Sequence, residues 1–160
     1  MLKKIIIFFA MFFCVAANAE LKVDIVAGAA NPISIAVQKF EMVGNVSSKD
    51  ADMMRTVFEN DLKSTGLFRI VSHQALPEHV KMNEMPNFTL WNAIKAQVLV
   101  QAKLSLNDKG QYKLEFYMWD VNGKEQIEAQ SLVASKKSGR RIAHIMADGI
   151  YERLTGEVGY

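Results

Sequence analysis

Cysteine is almost missing from this 160-residue chain: the single one, Cys14, sits in an apolar run near the amino terminus. A chain that sheds that run has no thiol left, which excludes disulfides, thiolate metal sites and thiol nucleophiles. Histidine is scarce too. His73, His79 and His144 are the three present, and none falls in a His-Glu-x-x-His or similar ligand spacing. The plain reading of each is a solvent-exposed or partly buried polar side chain. No Gly-x-Ser-x-Gly is there to hold a nucleophilic serine on a strained turn. A glycine-rich phosphate loop is also lacking: "VAGAA", residues 26–30, has one glycine and leads into a strand pattern rather than a helix. Carboxylates such as Glu59, Asp61, Asp108, Glu125 and Glu128 are scattered, and helix capping and solubility account for them. The aromatics Trp91, Tyr112, Phe116, Tyr117 and Trp119 interleave with Leu114 and Met118, which fits core packing better than stacking on bases or sugars. Catalytic residues, metal sites and cofactors are therefore not expected.

Excess charge is lacking as well once the leader is set aside. Lys3 and Lys4 precede an unbroken apolar run over residues 5–17, and Ala17-Asn18-Ala19 places small residues where a signal peptidase reads them. The run is shorter than the ~20 apolar residues that cross a bilayer. Phe13, ahead of Cys14, is not the small residue of a lipoprotein signal. Residues 1–19 are thus predicted to be a cleavable signal peptide. Without Lys3 and Lys4 the chain carries 17 basic and 17 acidic side chains. Such a neutral balance gives no electrostatic reason to bind nucleic acid or an anionic membrane surface. Residues 20–160 suffice for one domain with one core.

What is present is a clear alternation of strand and helix patterns. In "ELKVDIV", residues 20–26, Leu21, Val23 and Ile25 share one face of a strand and Lys22 and Asp24 the other. "ISIAVQKF", residues 33–40, is apolar enough for a central strand. A helix starts at Ser47 or Ser48, with Asp50 and Asp52 in its first turn and Ala51, Met54, Val57, Phe58 and Leu62 as its buried stripe. Gly66 supplies the left-handed residue after it. "RIVS", residues 69–72, follows as a strand, and the strand–helix–strand order argues for a parallel pair. Residues 76–88 hold two of the three prolines and read as a surface loop. Thr89 is predicted to cap a short helix with Leu90, Trp91 and Ile94 inward. Three strand patterns follow, joined by "NDKG" and by a hairpin turn at Asn122-Gly123; the last, "KEQIEAQSLVA", is polar enough to be a sheet edge. A final helix starts near Ser138, buries Ile142, Ile145, Met146, Ile150 and Leu154, and ends at Gly156. The predicted order is ββαβαβββα: a mixed sheet of five to six strands with two to three packed helices, in the α/β or α+β class.

Four stretches taken together carry a family resemblance: "ISIAVQKF", "DLKSTGLFRIV", "YMWDVNGKEQIEAQSL" and "RRIAHIMADGIYERLTGEVGY". The last is the most specific, with Ala147, Asp148, Gly149, Ile150, Tyr151 and Glu152 followed by Leu154, Thr155, Gly156 and Gly159. Over roughly residues 31–160 the chain resembles the TolB amino-terminal domain family, periplasmic components of the Tol–Pal cell-envelope system. The resemblance implies an anticodon-binding-domain-like fold, residence in the periplasm of a Gram-negative bacterium, and a monomeric, non-catalytic protein-interaction role in outer-membrane integrity and envelope constriction at division. In that family a carboxy-terminal β-propeller follows the Leu-Thr-Gly turn and contacts the peptidoglycan-associated lipoprotein. The propeller is absent from this sequence, so that contact is not expected of it. The family's leading segment engages the inner-membrane protein TolA. By position this is Glu20, Leu21, Lys22, Val23, Asp24, Ile25 and Val26.

Two other readings are open at this point. One is a stand-alone envelope regulator of the same fold with another partner, such as a cell-wall synthase. The other is a small ligand-binding or enzymatic domain with a cleft near His73, His79 and Trp91.

Overall fold

A short, nearly continuous apolar run becomes an interior strand of the sheet. In the computed structural model, which describes residues 31–77 and 79–157, β1 (Ile33–Val37) is buried along its whole length. It lies between β3 (Phe68–Ile70) and β4 (Val98–Leu106) and runs parallel to both. Burial on both faces is what a near-continuous apolar run requires. β5 (Tyr112–Asp120) and β6 (Glu125–Ala134) continue the sheet antiparallel beyond β4. The strand path is β3-β1-β4-β5-β6. Three helices complete the described chain: α1 (Ser48–Ser64), α2 (Phe88–Ala93) and α3 (Gly139–Thr155), with 3-10 turns at His73–Ala75 and Lys136–Ser138. The class is α+β, with a six-stranded mixed sheet.

A separate short strand directly after β1 was not foreseen. β2 (Glu41–Met42) pairs parallel with β4 past the end of β1. Val37 lies opposite Val100 and Glu41 opposite Lys103, so four steps on one side meet three on the other. This extra residue splits what the sequence reads as one strand over 33–40. Hydrogen bonds from Gln38 N–H to the Val100 carbonyl (3.1 Å) and from Val43 N–H to the Leu104 carbonyl (3.0 Å) stitch both pieces to β4. The predicted strand at 20–26 lies outside the described residues, as do the leader and Gly159.

α1 and α3 pack side by side on one sheet face. Ala51, Met54, Val57, Phe58 and Leu62 are all buried, as their spacing requires. α3 buries Ile142, Ala143, Met146, Ala147, Ile150 and Leu154. Each large side chain buried here contributes roughly 1.5–3 kcal/mol. Ile145 is a correction: it is 41% exposed, because small alanines, not a fifth large residue, complete the buried face. Gly66 and Gly156, both at φ +73°, end α1 and α3 in the left-handed conformation the sequence demanded.

A second, smaller core covers part of the opposite sheet face. Trp91 and Phe88 of α2 meet Leu99 and Trp119 there. Residues 76–88 are not a simple surface loop, because Val80 and Met82 are buried. Gln101 ties this segment down: its Nε2 donates to the Val80 carbonyl (2.8 Å) and its Oε1 accepts from Trp119 Nε1 (2.6 Å). The cap of α2 is Asn87, whose side chain accepts from Thr89 N–H, rather than Thr89 itself. Leu90 is 38% exposed; so short a helix has one inward side, and Trp91 fills it.

Candidate functional site

The segment expected to bind a partner, residues 20–26, lies outside the described residues. The structure describes the surface onto which it leads. At Asn31 and Pro32 the chain borders a polar groove of about 660 Å³, bounded also by Ser34 and Arg69 and by Lys95, Gln97, Asn122 and Asn92. Ser34 N–H donates to Gln97 Oε1 (2.9 Å), Arg69 Nη2 donates to Ser34 Oγ (3.1 Å), and Asn92 Nδ2 donates to Asn122 Oδ1 (3.1 Å). The turn beneath Asn122 is built by Asp120, whose Oδ1 accepts from the N–H groups of Asn122 and Gly123 (2.9 Å each). The Asn-Gly pair does not form a two-residue turn: Asp120 pairs with Glu125, and Lys124 takes the positive φ of 59°. Glycine is needed at 123 for room, since a Cβ there would lie 2.7 Å from Asp120 Oδ2.

A second hollow of about 440 Å³ opens between α1 and α3, walled by Asp61, Thr65, His144, Asp148 and Tyr151. His144 Nδ1 and Asp61 Oδ2 are 2.5 Å apart across it. This pair joins residues 83 positions apart, which no local motif could announce. Tyr151 also stacks edge-on with Phe68, centroids 6.1 Å apart.

The histidines do not gather around Trp91. His73 Nε2 meets Glu59 Oε1 of α1 at 2.7 Å, His79 Nε2 lies 3.9 Å from Glu41 Oε1, and Trp91 is fully buried. Among the described residues no group of three or more His, Cys, Asp or Glu could hold a metal ion. No described helix is long and apolar enough to cross a membrane.

The main strand path of the described chain ends at β3 and β6, the latter an edge as the sequence indicated, and the short β2 is paired on one side only. β6 carries devices that discourage a further strand. Met118 faces Glu128 while Trp119 faces Gln126, so Ile127 is an extra, bulged residue. Arg153 of α3 donates its Nε–H to the Ile127 carbonyl (3.0 Å) and stands 3.7 Å from Glu128 Oε2. On the uncovered part of the sheet face, Glu115 bridges Lys113 (2.9 Å) and Lys103 (3.2 Å). The hydrogen bond from Lys113 holds the Glu115 carboxyl below its ordinary range, with Lys103 adding to it against the opposing effect of burial.

The model of one family, the TolB amino-terminal domain, matches residues 21–127. Among curated relatives, the Tol-Pal system protein TolB of Rickettsia africae is 34% identical over 151 residues, covering 94% of this chain and 34% of its own. That of Paramagnetospirillum magneticum is 36% identical over 149 residues, covering 90% and 32%. The chain thus spans about a third of the length of these relatives. The crystal structure of TolB from Acinetobacter baumannii superposes with a TM-score of 0.68 at 21% identity, over 81% of this chain and 30% of that one. The LpoB carboxy-terminal domain of Escherichia coli reaches 0.50 at 16% identity, over 68% and 87%. At these identities the structural likenesses concern the fold.

Proposed function

Since the chain belongs to the TolB amino-terminal domain family, we propose that it is a non-catalytic, periplasmic interaction module of the Tol–Pal system, with residues 20–26 engaging TolA. In this reading residues 1–19 direct export and are removed, and the protein serves outer-membrane integrity and envelope constriction at division. The observation that carries the assignment is where the family match begins: at residue 21, just past the expected cleavage point. Residues 21–26 therefore belong to the family's domain and are not an appendage to it.

The packing of β1 supports the same reading. Both of its hydrogen-bonding sides are taken, by β3 and by β4. β1 has no free side left for a further strand, and a segment with an alternating apolar face such as residues 20–26 suits addition to a sheet edge elsewhere. Terminal segments of this kind detach at little cost. The test compares mature chain 20–160 with chain 27–160 against the purified periplasmic part of TolA by calorimetry, alongside thermal melts. Binding should vanish on deletion while the unfolding temperature stays nearly unchanged. Binding retained by chain 27–160 refutes the assignment of residues 20–26.

A further inference from the structure

We propose that the polar groove beside Arg69, Lys95 and Lys124 is a binding site for an acidic, extended peptide segment of a partner protein. It is a different surface from residues 20–26, and its test needs no TolA, so either reading can fail alone.

The groove offers donors. Ser34 N–H can only donate, so its partner on Gln97 is the amide oxygen, and the Gln97 NH2 remains to be offered. In the Asn92–Asn122 pair one amide oxygen is used, and the Asn122 NH2 is left over in the same way. Arg69 and Lys95 add cationic N–H groups to the lining. No carboxylate is among the described lining residues. At the turn, Asp120 is 7% exposed and accepts two backbone N–H groups, and Glu125 follows Lys124 on the exposed start of β6. Donors and positive charge with no negative charge among the described lining residues complement carboxylates.

Backbone conformation is a second, independent sign. Lys95 and Lys124 are the two non-glycine residues with positive φ among the described residues, at 58° and 59°. Lys95 occupies the position after α2 that glycine normally takes. Its N–H donates to the Asn92 carbonyl (2.8 Å) and Ala96 N–H donates to the Trp91 carbonyl (3.2 Å), the paired bonds of a glycine-type helix end. A lysine is strained there and gains nothing from the cap itself. Lys124 lines an adjoining hollow that shares Asn92 with the groove. The conformations that favour glycine are thus filled by cations, at one end of the sheet. At about 660 Å³ the groove has room for more than one side chain.

The probe is an acetylated tetraglutamate peptide titrated into the mature chain, read from backbone amide resonances. Shifts should centre on Ser34, Ala96, Gln97 and Asn122, and should weaken as salt rises. Lys95→Gly should reduce affinity roughly tenfold by removing a charge-assisted contact. It should leave the thermal midpoint unchanged or higher, because glycine relieves the strain. A purely structural lysine would alter neither binding nor salt dependence. The proposal falls if Lys95→Gly binds tetraglutamate as well as the parent, if the shifts lie elsewhere, or if tetraglutamine binds equally. It also falls if inorganic phosphate at equal concentration reproduces the shifts, which would mark a small-anion site only.

Discussion

Replacing Gln101 with leucine should be among the most damaging single changes to this domain that leave its apolar volume intact. Gln101 is 1% exposed and closes two hydrogen bonds at once, accepting from Trp119 Nε1 and donating to the Val80 carbonyl. Leucine fills the space but orphans a buried indole N–H and a buried carbonyl. Each orphan costs about 1–3 kcal/mol. The Val80 carbonyl belongs to a segment that can open to water and counts at the low end, so the sum is about 2–4 kcal/mol. In a domain of this size that lowers Tm by roughly 6–20 °C. The assay is urea unfolding followed by tryptophan fluorescence, read as a change in midpoint at constant m. A double-mutant cycle with Trp119→Phe isolates the pair: the double variant should cost less than the sum of the singles by about 1 kcal/mol. A loss below about 0.5 kcal/mol for Gln101→Leu, or strict additivity in the cycle, would refute the claim that this glutamine pins residues 76–88 to the sheet.

Three further outcomes are expected. Burial first, then the hydrogen bond to Asp50 and its negative charge, push the Tyr112 phenol up to about 12. Its proton is held more tightly in the folded state, so stability is intact below about pH 10 and is lost between there and pH 12. Urea midpoints across that window should fall, and Tyr112→Phe should flatten the fall. Gly156→Ala places a side chain at φ +73° and should destabilise by roughly 1–2 kcal/mol in urea melts, with unchanged m. Glu115, held below the ordinary carboxylate range chiefly by Lys113, adds stability that is present above that range and is lost as pH falls beneath it through the lowered folded-state value. The site is partly exposed, so Glu115→Gln should change the acid side of the stability profile by no more than about 0.5 kcal/mol.

The elements with local grammar were legible in the sequence. α1 and α3 announce themselves by stripe and terminal glycine, and the β3–β1 pairing follows from the helix between them. What escaped depends on partners distant in sequence. The one-residue excess that separates β2 from β1 is visible only against β4. Ile145 and Leu90 sit at the margins of their stripes, where the neighbouring element decides burial. The segment around Val80 bears two prolines and little periodicity and reads as a surface loop, yet it is held by Gln101, 21 positions away. At the candidate groove, Asn122 and Gly123 were read as turn formers, but the lysines that take positive φ carry no local signal, since lysine is not a residue the left-handed region favours. The Asp61–His144 contact likewise joins two helices through the tertiary fold alone.

The placement of β1 has a mechanical consequence. A load applied to the chain at Asn31, along the strand, meets two parallel ladders at the same moment, one to β3 and one to β4. Their hydrogen bonds would be sheared together instead of opening one after another, as they would in a strand peeled from an edge. A pull transmitted through Asn31 therefore reaches the sheet by way of a doubly paired strand, whatever its origin.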